Sequence, residues 1–438
     1  MKSPDARRVL LLQGPPSRFF NVLSRAFSNA GIPVLRVKLN AGDDLRVGKG
    51  IAYRGKLEDF AAFLTRLIRR EAITDVLYFA DRLPYHRIAE KVANKLGATP
   101  YAVENGYLRP DWLTLEPGGM GAFSHFPADR AHIEAIADGA PPIDDDIRFR
   151  HAFASEAFFD VSHTLARLAG VRRYPHFERD RANHPLREYI SWLPQLVRRQ
   201  WAQQRAPAQM RRVMGESKPY FLFPMQLQED YQIRHNSRYA DLATLVDEVF
   251  AAFARGAPGD ATLLVKIHPL DNGLQNWHRT LKQAKRDYGL TGRIRLLSAG
   301  PLLEMLQHCE GVVLVNSTVG LTTLRVGKPL KTMGAAVYDI EGLTDRQPLD
   351  SFFAAPRAPD GEYVDLFVRA LARATQLKGS FYNPAGMEAG AREIVRRVAT
   401  GIGTSSWFCP VPPRLERAKE LGVPLDPPVG RTHFRITA

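Results

Sequence analysis

Asp75-Val76-Leu77-Tyr78-Phe79-Ala80, then a helical stretch from Pro84 to Leu96, then Thr99-Pro100-Tyr101-Ala102-Val103: strand, helix and strand follow one another with only short turns between. Apolar runs of this length, separated by a helix with Pro near its start, predict parallel strands covered by helices. The pattern extends upstream. Arg8-Val9-Leu10-Leu11-Leu12-Gln13 is a buried-strand run ended by Gly14-Pro15-Pro16, followed by a helix from Ser17 to about Ala30. Pro33 to Leu39 reads as a strand, and Leu57 to Arg70 as a helix with Phe60, Phe63, Leu64 and Leu67 on one face. The alternation resumes downstream with strands at Lys218–Phe223, Thr262–Ile267, Ile294–Leu297, Gly311–Val315 and Pro329–Met333. Helices separate them at about Tyr239–Ala254, Leu274–Tyr288, a short stretch after Pro301, and Thr318–Val326.

The chain of 438 residues is long enough for two such domains. The expected division is an N-terminal domain over 1–147, a helical basic connecting segment over 148–215, a second domain over 216–382, and a helix with a Pro-rich tail over 383–438. The connecting segment is rich in Arg and aromatics: Arg172-Arg173-Tyr174, Trp192, Arg198-Arg199-Gln200-Trp201 and Arg211-Arg212. Hydrophobic residues at 45% and charged residues at 24% are globular values and argue against a disordered scaffold. No apolar run reaches the roughly 18 residues of a membrane span. The N-terminus reads as a first strand and not as a signal peptide. Two cysteines, Cys309 and Cys409, provide neither a disulfide framework nor a Cys-based zinc site, and the expected compartment is the cytoplasm. The net charge of +14 predicts anionic partners: nucleic acid, an anionic membrane surface, or phosphorylated and acidic substrates.

In doubly wound domains ligands bind beyond the C-terminal ends of the strands. Candidate residues cluster there. Gly14 follows the first strand. Asp81, Tyr85 and His86 follow the third; Asp81 is either a cleft carboxylate or the cap of the Pro84 helix. Glu104, Tyr107, Arg109 and Trp112 follow the fourth, a dense polar and aromatic group in what reads as a loop. In the second half, Gln226 and Asp230 follow the strand at 218–223, with Asp230 either a reacting carboxylate or part of a solvated first helical turn. His268 and Pro269 end the strand at 262–267, where the histidine is either a proton donor or a turn residue bonded to backbone. Ser317 and Thr318 stand between a strand and a helix; their hydroxyls suit a phosphate and equally suit plain N-capping. Asp144-Asp145-Asp146 follows Pro-Pro and reads as a solvated acidic turn. No P-loop, dinucleotide fingerprint, HExxH motif, RNP motif or zinc finger is present, which disfavours ATPases, dehydrogenases, zincins and a nucleic-acid partner.

Several stretches resemble the bacterial capsule polysaccharide synthesis family, the KpsS/LipB-like group: LLQGPPSRFF, the segment Asp81 to His86, ENGYLRPDWLTLEPGG, QLQEDYQI, KIHP and VNSTVG, in order between about Val9 and Pro356. The sequence departs from that pattern at Asn105, where an EEGYLRP motif has its second carboxylate, and at Arg82-Leu83, where a Cys-Arg pair is expected. The resemblance implies a GT-B glycosyltransferase with two Rossmann-like domains facing a central cleft. It implies retaining transfer of Kdo from CMP-Kdo to a lysophosphatidylglycerol acceptor, beginning the poly-Kdo linker of capsular polysaccharide, peripherally on the inner membrane. It implies no cofactor and no metal, with His268, Pro269, Ser317, Thr318 and Gln226 at the donor and Arg109 clamping the Kdo carboxylate. Asp230 is the expected nucleophile and Glu104 the acid/base, the reverse assignment remaining open; Gly14, Asp81, Tyr85, His86, Tyr107 and Trp112 fall to the acceptor side or the cleft. The alternatives are another CMP-sugar, a later step of linker extension, or a non-catalytic scaffold. The expected partners are the donor, the lipid acceptor, the anionic membrane surface, and other capsule synthesis and export proteins.

Overall fold

The protein is described by a computed structural model over residues 7–47, 49–180, 218–401 and 405–425, with residues 191, 195, 200, 201, 203–211 and 215 between. Chain contacts divide it into two compact units. The first contains the described residues up to Asp180 and from Phe367 to Leu415; the second contains those from 191 to Leu366 and from Glu416 to Leu425.

The first unit is built on a seven-stranded sheet in the order β12-β6-β5-β4-β1-β2-β3. Its strands are β1 (Val9–Leu11), β2 (Val34–Lys38), β3 (Ile51–Ala52), β4 (Asp75–Phe79), β5 (Thr99–Asn105), β6 (Trp112–Pro117) and β12 (Gln376–Lys378). β1 to β5 run parallel, as the alternation requires. Val9, Leu10 and Leu11 have no exposed surface because β1 lies inside the sheet with both faces covered. The covering helices show the expected stripes; that at Phe60–Arg70 buries Phe60, Leu64, Leu67 and Ile68.

Three features depart from the sequence expectation. First, β6 pairs antiparallel with β5, and β12 pairs antiparallel with β6. The strand expected at Thr99–Val103 therefore continues to Asn105, and Trp112 opens a strand where a loop was expected. Second, the segment expected to connect the domains is divided. Its helix Phe153–Ala169 packs on the first unit's helix Ala41–Val47, and Gly170 lies against Ala41, where a Cβ would stand 2.1 Å from that side chain. Third, the second domain does not run to 382. The chain returns to the first unit at Phe367, supplies β12, and adds the helix Pro384–Thr400, which packs on the helix Phe19–Asn29. Part of the expected tail is anchored there too: Cys409 N–H donates to the His125 carbonyl at 2.8 Å, and the Arg414 guanidinium donates to the carbonyls of Phe126 and Pro127. Trp192, Arg198, Arg199 and Arg212 lie outside the described residues.

The second unit has a five-stranded, wholly parallel sheet in the order β11-β10-β7-β8-β9. The strands are β7 (Tyr220–Pro224), β8 (Thr262–Lys266), β9 (Ile294–Leu297), β10 (Gly311–Leu314) and β11 (Leu330–Thr332). Phe221, Phe223, Leu263, Val265 and Val313 point to one face and pack with Val249, Phe253, Leu281 and Phe352. Among the described helices none is long and apolar enough to cross a membrane.

Candidate functional site

Each sheet reverses its winding at one place. In the first unit the order runs outward from β1 to β2 and β3 on one side, and from β4 to β5 on the other. In the second it runs from β7 to β8 and β9, and from β10 to β11. Ligands of doubly wound sheets sit beyond the strand ends at such a reversal.

In the second unit, the reversal between β7 and β10 carries Gln226 and Asn316, two residues past each strand. Their side-chain amides and backbone interlock. Gln226 Nε2 donates to Asn316 Oδ1 at 3.0 Å, and Asn316 N–H donates to Gln226 Oε1 at 3.1 Å. Asn316 Nδ2 donates to the Gln232 carbonyl at 3.0 Å, tying in the helix Tyr231–Asn236. Asp230 caps that helix: its Oδ1 accepts from Gln232 N–H at 3.0 Å. The residue therefore stands at the start of a helix, as one of its two sequence readings has it, and the carboxylate is half-buried there.

His268 lies two residues beyond β8. Its Nδ1 accepts the Leu270 N–H at 3.0 Å. A neutral imidazole then carries its proton on Nε2, which makes that nitrogen the donor. Asp271 stiffens the turn, accepting from Gly273 N–H at 2.8 Å and from the Trp277 indole at 3.0 Å. Ser317 Oγ accepts from Val319 N–H at 3.2 Å, the first N–H of the helix Val319–Arg325. Thr318 makes no side-chain cap bond and remains half-buried. Tyr338 donates its hydroxyl to the Ser317 carbonyl and lies under Gly320, where a Cβ would be 2.4 Å from the ring.

Two residues of the second unit escaped the sequence reading. One is Asn316, whose signal was its place in the same turn as Ser317. The other is Lys266, the last residue of β8. Leu263 and Val265 face the apolar core, so Lys266 points to the opposite face by strand alternation. It is 7% exposed, its side chain has no hydrogen-bond or ion-pair partner among the described residues, and burial holds its pKa below the usual lysine value.

The first unit treats its nominated residues differently. Gly14 lies three residues beyond β1, and a Cβ there would stand 2.5 Å from Phe20. Asp81 is fully buried. It accepts from Arg82 Nε at 2.9 Å and from Met120 N–H at 3.0 Å, and Arg82 also pairs with buried Glu90. Arg82 lies 3.9 Å from the centre of the Phe123 ring. Asp81 is thus neither an exposed cleft carboxylate nor the cap of the Pro84 helix, whose N-cap is Leu83. His86 is fully buried; Nδ1 donates to the Ala80 carbonyl at 2.9 Å, and burial pushes the pKa down to about 4. Tyr85, 3% exposed, stacks on Phe177 at 5.7 Å and accepts from Glu178 N–H at 3.2 Å. These three belong to the interior of the unit because residues 118–123 and 174–178 close over them.

The stretch Glu104–Trp112 is a hairpin tip on β5 and β6. Glu104 pairs with Thr114, and Asn105 with Leu113. A Cβ on Gly106 would lie 2.4 Å from Trp112, and Gly106 N–H donates to the Trp112 carbonyl at 2.7 Å, so the close return of the chain requires glycine. Gln376 on β12 accepts from Tyr107 N–H at 2.8 Å and fixes the tip from below. Tyr107 donates to Glu116 at 2.9 Å; burial pushes Glu116 up to about 7, against the Ser124 and Tyr107 hydroxyls. Glu104 itself is half-buried and accepts from Asn105 N–H at 2.9 Å. Arg109 is exposed, with Nε 3.4 Å from the Gly106 carbonyl. Trp112 stacks under the Lys378 ammonium at 4.5 Å. Tyr382 was not nominated, yet it senses Glu104 and Arg109; burial first, then Glu156, Asp160 and Glu104, raise its pKa and keep it a neutral phenol. Asp144 is paired to Arg148 at 2.8 Å on the surface, as a solvated turn should be.

A family model described as capsule polysaccharide biosynthesis protein matches residues 74–382, a span that includes the hairpin tip and every strand-end residue of the second unit. The chain belongs to this family. Within it, the capsule polysaccharide export protein KpsS of Escherichia coli is 31% identical over 385 residues, 86% of this chain and 97% of that protein. The capsule polysaccharide modification protein LipB of Neisseria meningitidis serogroup A is 29% identical over 390 residues, 86% of this chain and 92% of that protein. Among solved structures, the Thermosulfurimonas dismutans KpsC described as a beta Kdo 2,7 transferase aligns over 89% of this chain and 98% of its own, at 15% identity and a TM-score of 0.45. That likeness is too distant to bear on individual residues.

Proposed function

We propose that the chain is a GT-B glycosyltransferase of capsule biosynthesis that moves Kdo, with retention, from CMP-Kdo to a lysophosphatidylglycerol acceptor. The observation that carries this reading is the strand-end set of the second unit. Gln226 and Asn316 hold each other at the winding reversal, His268 presents Nε2–H, and the Ser317 and Thr318 hydroxyls stand at the neighbouring strand end. Such a set supplies donors to one phosphate, the leaving group of a CMP-sugar, and Lys266 adds a cation at the base of the same edge. Membership of the capsule family supplies the biological setting.

Retention through double displacement needs two carboxyl groups. Asp230 attacks the anomeric carbon as the bond to the phosphate oxygen breaks, and His268 Nε2–H stabilises the departing CMP. Glu104 then takes the proton of the acceptor hydroxyl as that oxygen displaces Asp230. Arg109, exposed on the hairpin tip, binds the Kdo carboxylate. The anionic membrane surface meets the helix Phe153–Ala169, which exposes Phe158 and Leu165 and is followed by exposed Arg172 and Arg173; each cation near anionic lipid contributes about 1 kcal/mol.

The test is a transfer assay with CMP-Kdo and a fluorescent lysophosphatidylglycerol, with and without EDTA. Glu104→Gln enzyme given donor alone should accumulate a protein one Kdo heavier, with the adduct on Asp230. An adduct on Glu104 in the Asp230→Asn enzyme would reverse the two roles. Near-normal transfer by both variants would end the reading.

A further inference from the structure

We propose that the second unit holds a second anion site, in a cavity of about 280 Å³ beside β11, that takes one phosphate or carboxylate group. None of Gln226, Asp230, His268, Asn316, Ser317 and Thr318 lines it, so it is separate from the strand-end set.

Four cationic side chains, Arg238, Lys331, Arg346 and Arg417, and two carboxylates, Glu248 and Glu420, line the cavity. Two are already matched by carboxylates. Arg238 grips both oxygens of Glu248 at 2.6 Å, and Arg417 donates to Asp339 at 2.9 Å and to Glu420 at 3.0 Å. The other two are not. Lys331 donates to the Gln347 carbonyl, and Arg346 donates once, to the Asp339 carbonyl at 3.2 Å. The nearby carboxylates are engaged elsewhere. Asp345 accepts from Gln347 N–H, the Gln347 amide and Arg357 N–H, and the second oxygen of Asp339 accepts from Thr344.

Lys331 is 7% exposed, and a buried ammonium satisfied only by a carbonyl is costly. Its pKa is held down by burial first and then by Arg417, against the opposing pull of Asp345 and Asp339. An ammonium and a guanidinium with unused donors form the donor set that an oxyanion accepts. The volume lies at the low end for ligand sites and fits one phosphate or one carboxylated sugar.

The experiment is calorimetric titration of the full chain with inorganic phosphate and, separately, with glucuronate. Arg346 is exposed, so Arg346→Ala should fold normally; it should weaken binding at least ~10-fold, and Lys331→Met should do the same. Arg396→Ala, which removes an exposed cation of the first unit outside both sets, should leave this binding intact. Phosphate binding without glucuronate binding identifies a phosphorylated ligand; glucuronate competing for the site identifies an acidic sugar. Binding unchanged in Arg346→Ala, binding lost in Arg396→Ala, or no binding of either probe overturns the proposal. Sugar transfer is not read out, so a failed transferase assignment leaves the result interpretable.

Discussion

The two winding reversals occupy the same topological position and have opposite fates. In the first unit the end of β1 is packed by Phe20 at Gly14, and the end of β4 is filled by Asp81, Arg82 and Glu90 with Met120 bonded over them. In the second, the reversal is bordered by half-buried Asp230, His268, Asn316, Ser317 and Thr318. A carboxylate after a strand thus stays open to a ligand only when no later segment closes over it. The first unit's reachable chemistry has moved to the hairpin tip, where Glu104 and Arg109 stand.

The contrast is broken most directly by substituting the reachable carboxylates. Asp230→Asn keeps a helix cap, since Asn caps as well as Asp. It should nevertheless lower transfer by about 10²–10⁴-fold, and Glu104→Gln similarly, with unchanged circular dichroism. The buried reversal should respond in stability. Arg82→Met leaves Asp81 and Glu90 facing each other uncompensated and should cost about 3–5 kcal/mol in denaturant unfolding. A loss below 1 kcal/mol would mean the triad is not the plug described here. Gln226→Ala orphans the Asn316 amide without removing a reacting group. It should raise KM for the donor by about tenfold, corresponding to roughly 1.4 kcal/mol, with kcat less affected.

The smallest effect is on pH. His86 and His125, each pushed down to about 4 by burial, lend stability that is present above about pH 6.5 and lost as pH falls toward 4. Glu116, pushed up to about 7, works the other way, its contribution being lost as pH rises from about 4.5 to 7. Glu116→Gln removes the opposing proton, so stability should fall more steeply on acidification across that window, by about 1.4 kcal/mol per pH unit. Thermal melts between pH 5 and 7 measure the slope; parallel slopes for both proteins would show that Glu116 titrates normally.

The parallel strands were legible because Val-, Leu- and Phe-rich runs alternate with amphipathic helices. The reversal residues of the second unit were legible because they follow those runs immediately. What the sequence hid has one physical cause, contact between distant segments. Nothing local to Asp81 announces Met120, and nothing near Tyr107 announces Gln376. β12 is three residues long, too short for periodicity to register, and its role exists only through pairing with β6. Lys266 looked like one more residue of KIHP; its isolation is a property of the packed sheet.

β12 also fixes an order of events during synthesis. When the ribosome has made β6, the strand's partner is still more than 250 residues away in the chain, and the edge of the first sheet is unpaired. The second unit's five strands all lie between, within one continuous stretch. That sheet can therefore form while the first waits with an open edge, the condition under which nascent chains pair with the wrong neighbour. Strains short of chaperone capacity should accumulate aggregates nucleated at Trp112–Pro117, and truncations ending before Gln376 should be insoluble even though both candidate carboxylates are intact.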